Sequence, residues 1–115
     1  MKLLALALIL VPLTLLAQVR SATSQEIAVI EISLKVMLEL SSVQTRAVRI
    51  GPSPVQGGYI VCGEVLVSSN RLAPYQFRKF HAVYDMLDGY PIVVIAGVDN
   101  ERTNESSVVC QTLGM

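Results

Sequence analysis

The sequence predicts an α+β domain: one N-terminal helix packed on a small antiparallel sheet of about four strands. Three observations carry that expectation. A capped amphipathic segment comes first, four β-prone runs come after it consecutively, and turn residues separate the runs.

The chain has 115 residues, room for one domain, and is 52% hydrophobic. Part of that excess lies in MKLLALALILVPLTLLA, residues 1–17, where Lys2 precedes an unbroken run of apolar and small residues. Leu3 to Ala17 spans 15 residues, short of the roughly 20 that a bilayer-spanning helix needs. A cation, a short apolar core and a small residue at its end make the pattern of a secretory signal peptide. Cleavage after Ala17 and cleavage after Ser21 are both open, and residues 23–115 form a single exported domain. No cysteine follows the apolar run, so nothing supports a lipid-anchored N-terminus.

Thr23-Ser24-Gln25-Glu26 is a capping box, in which the Thr and Glu side chains satisfy each other's free backbone donors. A helix is expected over Ile27 to Leu40. Glu31, Lys35 and Glu39 form a polar stripe at i, i+4 and i+8, opposite an apolar face of Ile27, Ile30, Leu34, Met37 and Leu38. Ile30, Ile32, Leu34 and Val36 also alternate with polar residues as a strand would. The cap, the length and the helix formers Leu, Met, Lys and Glu decide for helix. Ser41-Ser42 breaks it.

Strands are expected at Gln44 to Ile50, Tyr59 to Ser68, Tyr75 to Asp85 and Pro91 to Val98. Gly51-Pro52-Ser53-Pro54, Gly57-Gly58, the loop Ser69 to Pro74, and Met86 to Tyr90 around Asp88-Gly89 supply the turns. PIVVIAGV is almost wholly apolar, which implies cover on both faces. Asp99 to Ser107 is polar, and Val108 to Met115 is a short helix or a tail.

Export would place Cys62 and Cys110 in an oxidising compartment, where they permit one intramolecular bridge. The bridge would close a loop of about 49 residues, which gives roughly 4 kcal/mol on the entropic estimate, a large share of the about 5–15 kcal/mol that holds a domain of this size. The spacing excludes a CxxC redox motif. A zinc site would need two further ligands, and His81 is the only histidine.

The formal charge is 0, and removing Lys2 with the leader takes it to −1. No polybasic run points to nucleic acid or an anionic membrane. Lys35 to Lys79 nevertheless holds six cations and two anions, and Asp85 to Glu105 five anions and one cation, Arg102. Either these charges pair across the fold, or they polarise a surface that docks a charged partner.

The run VCGEVLVSSNRLAPYQFRKF resembles an uncharacterised family of small secreted proteins of Gram-negative bacteria. In that family a VCGxVN-type strand is followed by an Asn, a Gly- and Tyr-containing loop and a GFxxF strand. The matching positions are Val61, Cys62, Gly63, Val65, Asn70, Tyr75, Phe77 and Phe80. The upstream helix and Ser41-Ser42-Val43-Gln44, with Arg46 and Val48, are also similar to the family's helix and its next segment. Leu66, Leu72-Ala73-Pro74, Gln76 and Leu40 depart from the pattern, standing in for Asn, a Gly-rich loop, Gly and Pro. The resemblance implies an exported single domain with a cysteine-bearing strand, and implies no activity.

No complete catalytic set is present. His81 has no recognisable nucleophile motif beside it, and a half-buried or surface strand position is the simpler expectation. Asp85, Asp88, Asp99 and Glu101 match no calcium loop and read as solvated turns. Asn104-Glu105-Ser106 has the form of a glycosylation acceptor, which would be inert in the bacterial chain that the resemblance implies. Tyr75, Phe77, Phe80 and Tyr84 with Arg71, Arg78 and Lys79 have the composition of a stacking platform, but core packing accounts for them more simply. Gly57-Gly58 is followed by no helix and so forms no phosphate loop.

The expectation is therefore a non-catalytic domain, periplasmic or secreted, without a cofactor or metal, that binds a protein or envelope component. The candidate surface is the Ser69–Tyr75 loop and the start of the next strand, with Arg71, Tyr75 and Arg78. The alternative is a small periplasmic enzyme or metal-dependent protein using His81.

Overall fold

A computed structural model describes residues 19–54, 58–68 and 75–115. The fold class is α+β, as expected, but the sheet has five strands where four were predicted. In chain order the elements are β1 (Arg20–Ser21), α1 (Ser24–Leu38), β2 (Thr45–Pro52), β3 (Tyr59–Ser68), β4 (Tyr75–Leu87), β5 (Tyr90–Val98) and α2 (Glu105–Thr112). The strands pair antiparallel in the order β1-β2-β3-β4-β5.

The extra strand is β1, whose Arg20 and Ser21 pair with Ile50 and Arg49. Two residues carry no readable alternation, so only the partner strand defines them. Thr23 is the N-cap of α1 and the capping box is complete: Glu26 N–H donates to Thr23 Oγ1 at 3.2 Å, and Thr23 N–H to Glu26 Oε1 at 2.9 Å. Arg20 lies across that box, donating to both Glu26 oxygens at 2.7 and 2.8 Å. The hydrogen bonds from Arg20 hold the Glu26 carboxyl at a pKa of about 2.

Strand alternation divides the sheet into two faces. On one, Val61 and Val65 of β3 stand with Phe80, Ala82 and Tyr84 of β4. With Val48, Ile50 and Ile95 they bury Ile30 and Leu34 of α1 in one apolar cluster. A side chain buried as fully as these two contributes about 1.5–3 kcal/mol. A bulge in β2 between Arg46 and Arg49 tightens this face. Ala47 sits in the left-handed region at φ 53°, and the added residue sends Arg46 to the opposite face while Val48 turns inward. Gly63 opposes the bulge, where a Cβ would stand 3.0 Å from the Phe80 ring and 3.1 Å from Val48.

The other face carries Cys62 and His81, paired across β3 and β4, and α2 packs there against β4 and β5. The C-terminal segment, open between helix and tail in the sequence, is thus a helix, and it starts earlier, at Glu105. Cys62 and Cys110 form a disulfide with Cα atoms 5.9 Å apart.

β4 and β5 join through Asp88-Gly89, both with positive φ, 52° and 82°. The double cover expected for PIVVIAGV is not found. β5 ends the sheet, with Ile95 buried under α1 while Ile92 and Val94 remain exposed. The apolar run fits a central parallel strand and an uncovered edge strand equally, because burial depends on neighbours the run does not encode.

Candidate functional site

Arg78 stands opposite Val65 on the face that α1 covers. Phe80, Ala82 and Tyr84 fill the core on the same side of β4, and Arg78 continues their row to the core's end. Its side chain is only 11% exposed, and its Nη2 donates to Glu101 Oε1 at 3.2 Å, whereas Glu101 is 68% exposed.

The two groups border a cleft of about 410 Å³, with Leu38, Leu40, Val67 and Val98 as its apolar wall and residues 99–102 along its rim. The end of α1 shapes the wall. Glu39 adopts a left-handed C-cap at φ 55°, its N–H donating to the Lys35 carbonyl, and Leu40 N–H reaches the same oxygen at 3.0 Å. That turn brings Leu40 back beside Leu38 at the cleft.

The rim is held rigidly. Asp99 N–H donates to the Lys79 carbonyl at 2.8 Å, and Asn100 N–H to Thr103 O at 3.0 Å. Asn100 Oδ1 accepts from the N–H groups of Arg102 and Thr103 at 2.7 and 3.1 Å. The Asp99 carboxylate accepts from the Ser106 and Ser107 N–H groups at 2.8 and 3.1 Å and from the Ser107 hydroxyl. It caps α2 in place of Asn104, whose side chain makes no cap bond. Of the rim charges, Asp99 is thus committed to the helix and Glu101 to Arg78, and Arg102 has no ion pair among the described residues.

Of the predicted surface, Arg71 lies outside the described residues. Tyr75 pairs through its backbone with Ser68, and its side chain also lies outside what is described. Arg78 is at the cleft, joined by residues that the sequence did not single out: Asn100, Arg102 and the Leu38–Leu40 wall. Asp99 and Glu101, expected to be solvated turn residues, have defined partners. The signal for the rim was the Asp99-Asn100 pair ahead of Thr103, a side-chain-capped turn leading into a helix.

His81 corrects the expectation of a half-buried or surface position. It is 7% exposed, and its Nδ1 lies 2.7 Å from Oγ of Ser106, itself 1% exposed. Gly97 makes room for the contact, since a Cβ there would stand 3.1 Å from the His81 ring and 3.3 Å from Ser106 Oγ. Neither residue lines the Arg78 cleft. No group of three or more His, Cys, Asp or Glu among the described residues is placed to hold a metal ion. The aromatic run divides: Phe80 and Tyr84 are buried under α1, and Phe77 faces the other side with the Arg46 guanidinium 3.7 Å above its ring.

No protein-family model matches the chain, and neither the curated proteins nor the solved structures contain a match to it.

Proposed function

We propose that the chain is an exported, non-catalytic binding domain, periplasmic or secreted, that takes an acidic group of a protein or envelope component at the Arg78 cleft. The observation that carries this reading is the pairing of a well-shielded guanidinium with a solvent-exposed carboxylate. Shielding from water strengthens the attraction between Arg78 and a carboxylate, and the exposed Glu101 can leave into water at little cost, so a ligand carboxylate can replace it in a bidentate contact. The apolar wall would receive the rest of the ligand. Export is supported by the leader pattern, by the resemblance of Val61 to Phe80, and by the disulfide, which is compatible with an oxidising compartment. No helix among the described residues is long and apolar enough to cross a membrane.

An enzyme using His81 is the second reading, favoured by the Ser106–His81 contact, since an imidazole on a hydroxyl is the arrangement that activates a serine. The burial of both groups weighs against it.

The test is a titration of ¹⁵N-labelled protein with a capped tetraglutamate peptide. Shifts centred on the Arg78 side chain, Leu40, Val98 and Glu101, abolished by Arg78→Gln, are expected. Equal shifts in wild type and Arg78→Gln, or none at millimolar peptide, would overturn the reading. Covalent labelling of Ser106 by a fluorophosphonate would overturn it in favour of the enzyme.

A further inference from the structure

β5 is an outer strand of the sheet and pairs with β4 alone among the described residues. Proteins usually guard such an edge with charge, proline, a bulge or short length. β5 is nine residues long and contains no charged residue. Its Pro91 stands at one end opposite Met86, and its bulge falls at the other, where Gly97 and Ile95 pair with His81 and Ala82. The stretch from Ile92 to Ile95 between them has no guard.

Both sides of that edge are apolar. On one, Ile32, Val36 and Met37 of α1 form a groove with Val93 to Ile95. The helix lies close enough for Ser33 Oγ to stand 3.3 Å from the Val93 carbonyl. Val36 is 74% exposed, and Ile32 and Met37 more than half exposed. On the other side Ile92 and Val94 are open to solvent, Val94 at 60%.

We propose that this edge is a homodimer interface, in which β5 pairs antiparallel with β5 of a second copy about a two-fold axis near Val94. The sheets would join into one of ten strands, and the two α1 helices would meet side by side through Ile32, Val36 and Met37. A second copy fits for two reasons. The residues that line the edge, Ile32, Val36 and Met37 on one side and Ile92 and Val94 on the other, carry no charge. The exposed Asp85 opposite Ile92 lies one strand inward, so an isologous contact about Val94 sets no like charges directly together, and the chain's formal charge is near zero. The area is also sufficient. The exposed parts of Ile32, Val36, Met37, Tyr90, Ile92 and Val94 amount to roughly 300–500 Å² of apolar surface per copy. A standard interface takes about 800 Å² per partner, a little over half of it apolar.

Sedimentation velocity of the exported, processed protein between about 1 and 100 μM tests this, with Val94→Lys and Val36→Glu compared. These residues lie on different elements and both are exposed, so each variant is expected to keep the wild-type circular dichroism. The expected result is a wild-type dimer and, in each variant, a dissociation constant raised at least tenfold. In the dimer the β5 amides would exchange more slowly than in Val94→Lys. A wild-type monomer at 100 μM would overturn the proposal, including one whose β5 accepts a strand from another protein. So would a dimer that both folded variants retain.

Discussion

The two faces of the sheet are held by different means. Under α1, ten buried apolar side chains from the helix and four strands form one cluster. Under α2 the buried groups are Cys62, Cys110, His81 and Ser106, joined by a disulfide and a hydrogen bond. Helix length accounts for the contrast. α1 has fifteen residues and a broad apolar face, whereas α2 has eight, of which ESSVVCQT supplies only two valines and a cysteine as apolar contacts. Buried area scales with the surface available, so the short helix cannot be held by burial alone. A covalent link and a borrowed cap from Asp99 take over that role.

The largest test of the contrast is the double change Cys62→Ser and Cys110→Ser. It should lower stability by roughly 4 kcal/mol through loop entropy, and the loss should fall first on α2. Hydrogen exchange should show α2 amides opening well below the global unfolding energy while α1 amides still report it. Unchanged α2 protection in the variant would show that packing, not the bridge, holds that face. Next in size is Leu34→Ala, at about 3 kcal/mol for a fully buried leucine. With no second device on its face, the loss should spread over β2 to β5 as well as α1. A loss confined to α1 would contradict the single-cluster account.

The same contrast explains what was readable in the sequence. The α1 face was legible because its signals are local and periodic: the Thr23–Glu26 box, the stripe of Ile30 and Leu34, and the run Tyr59–Ser68, found as a strand with those bounds. The Asp88-Gly89 turn was legible for the same reason. The Cys62–Cys110 pairing followed from counting alone. The other face depends on contacts between distant residues. Nothing near His81 announces Ser106, and the Asp99-Asn100 pair marks a turn before a helix without telling that Asp99 reaches the Ser106 and Ser107 N–H groups. Arg78 was singled out for its neighbours in sequence, yet its partner Glu101 comes from the far end of β5.

The smallest effect concerns the two helix N-termini, each of which uses a carboxylate but from a different distance. Asp99 reaches the α2 N–H groups from the end of β5, while Glu26 lies in α1 itself, accepts from the N–H of the N-cap Thr23 and is further held by Arg20. The Glu26 carboxyl titrates at about 2 when folded against an ordinary 4.5. A lowered folded pKa contributes stability that is complete above 4.5 and disappears as pH falls through about 2. After allowance for the exposure of Arg20, that contribution is about 2 kcal/mol. Glu26→Gln keeps the reciprocal cap but loses the ion pair. In a chain that retains Arg20, the stability gap between wild type and Glu26→Gln, read from urea unfolding, should be about 2 kcal/mol at pH 6. It should close between 4.5 and 2. A gap that stays constant across that range would mean that the carboxylate's charge plays no part, and that α1, like the cluster beneath it, is held by packing and cap geometry alone.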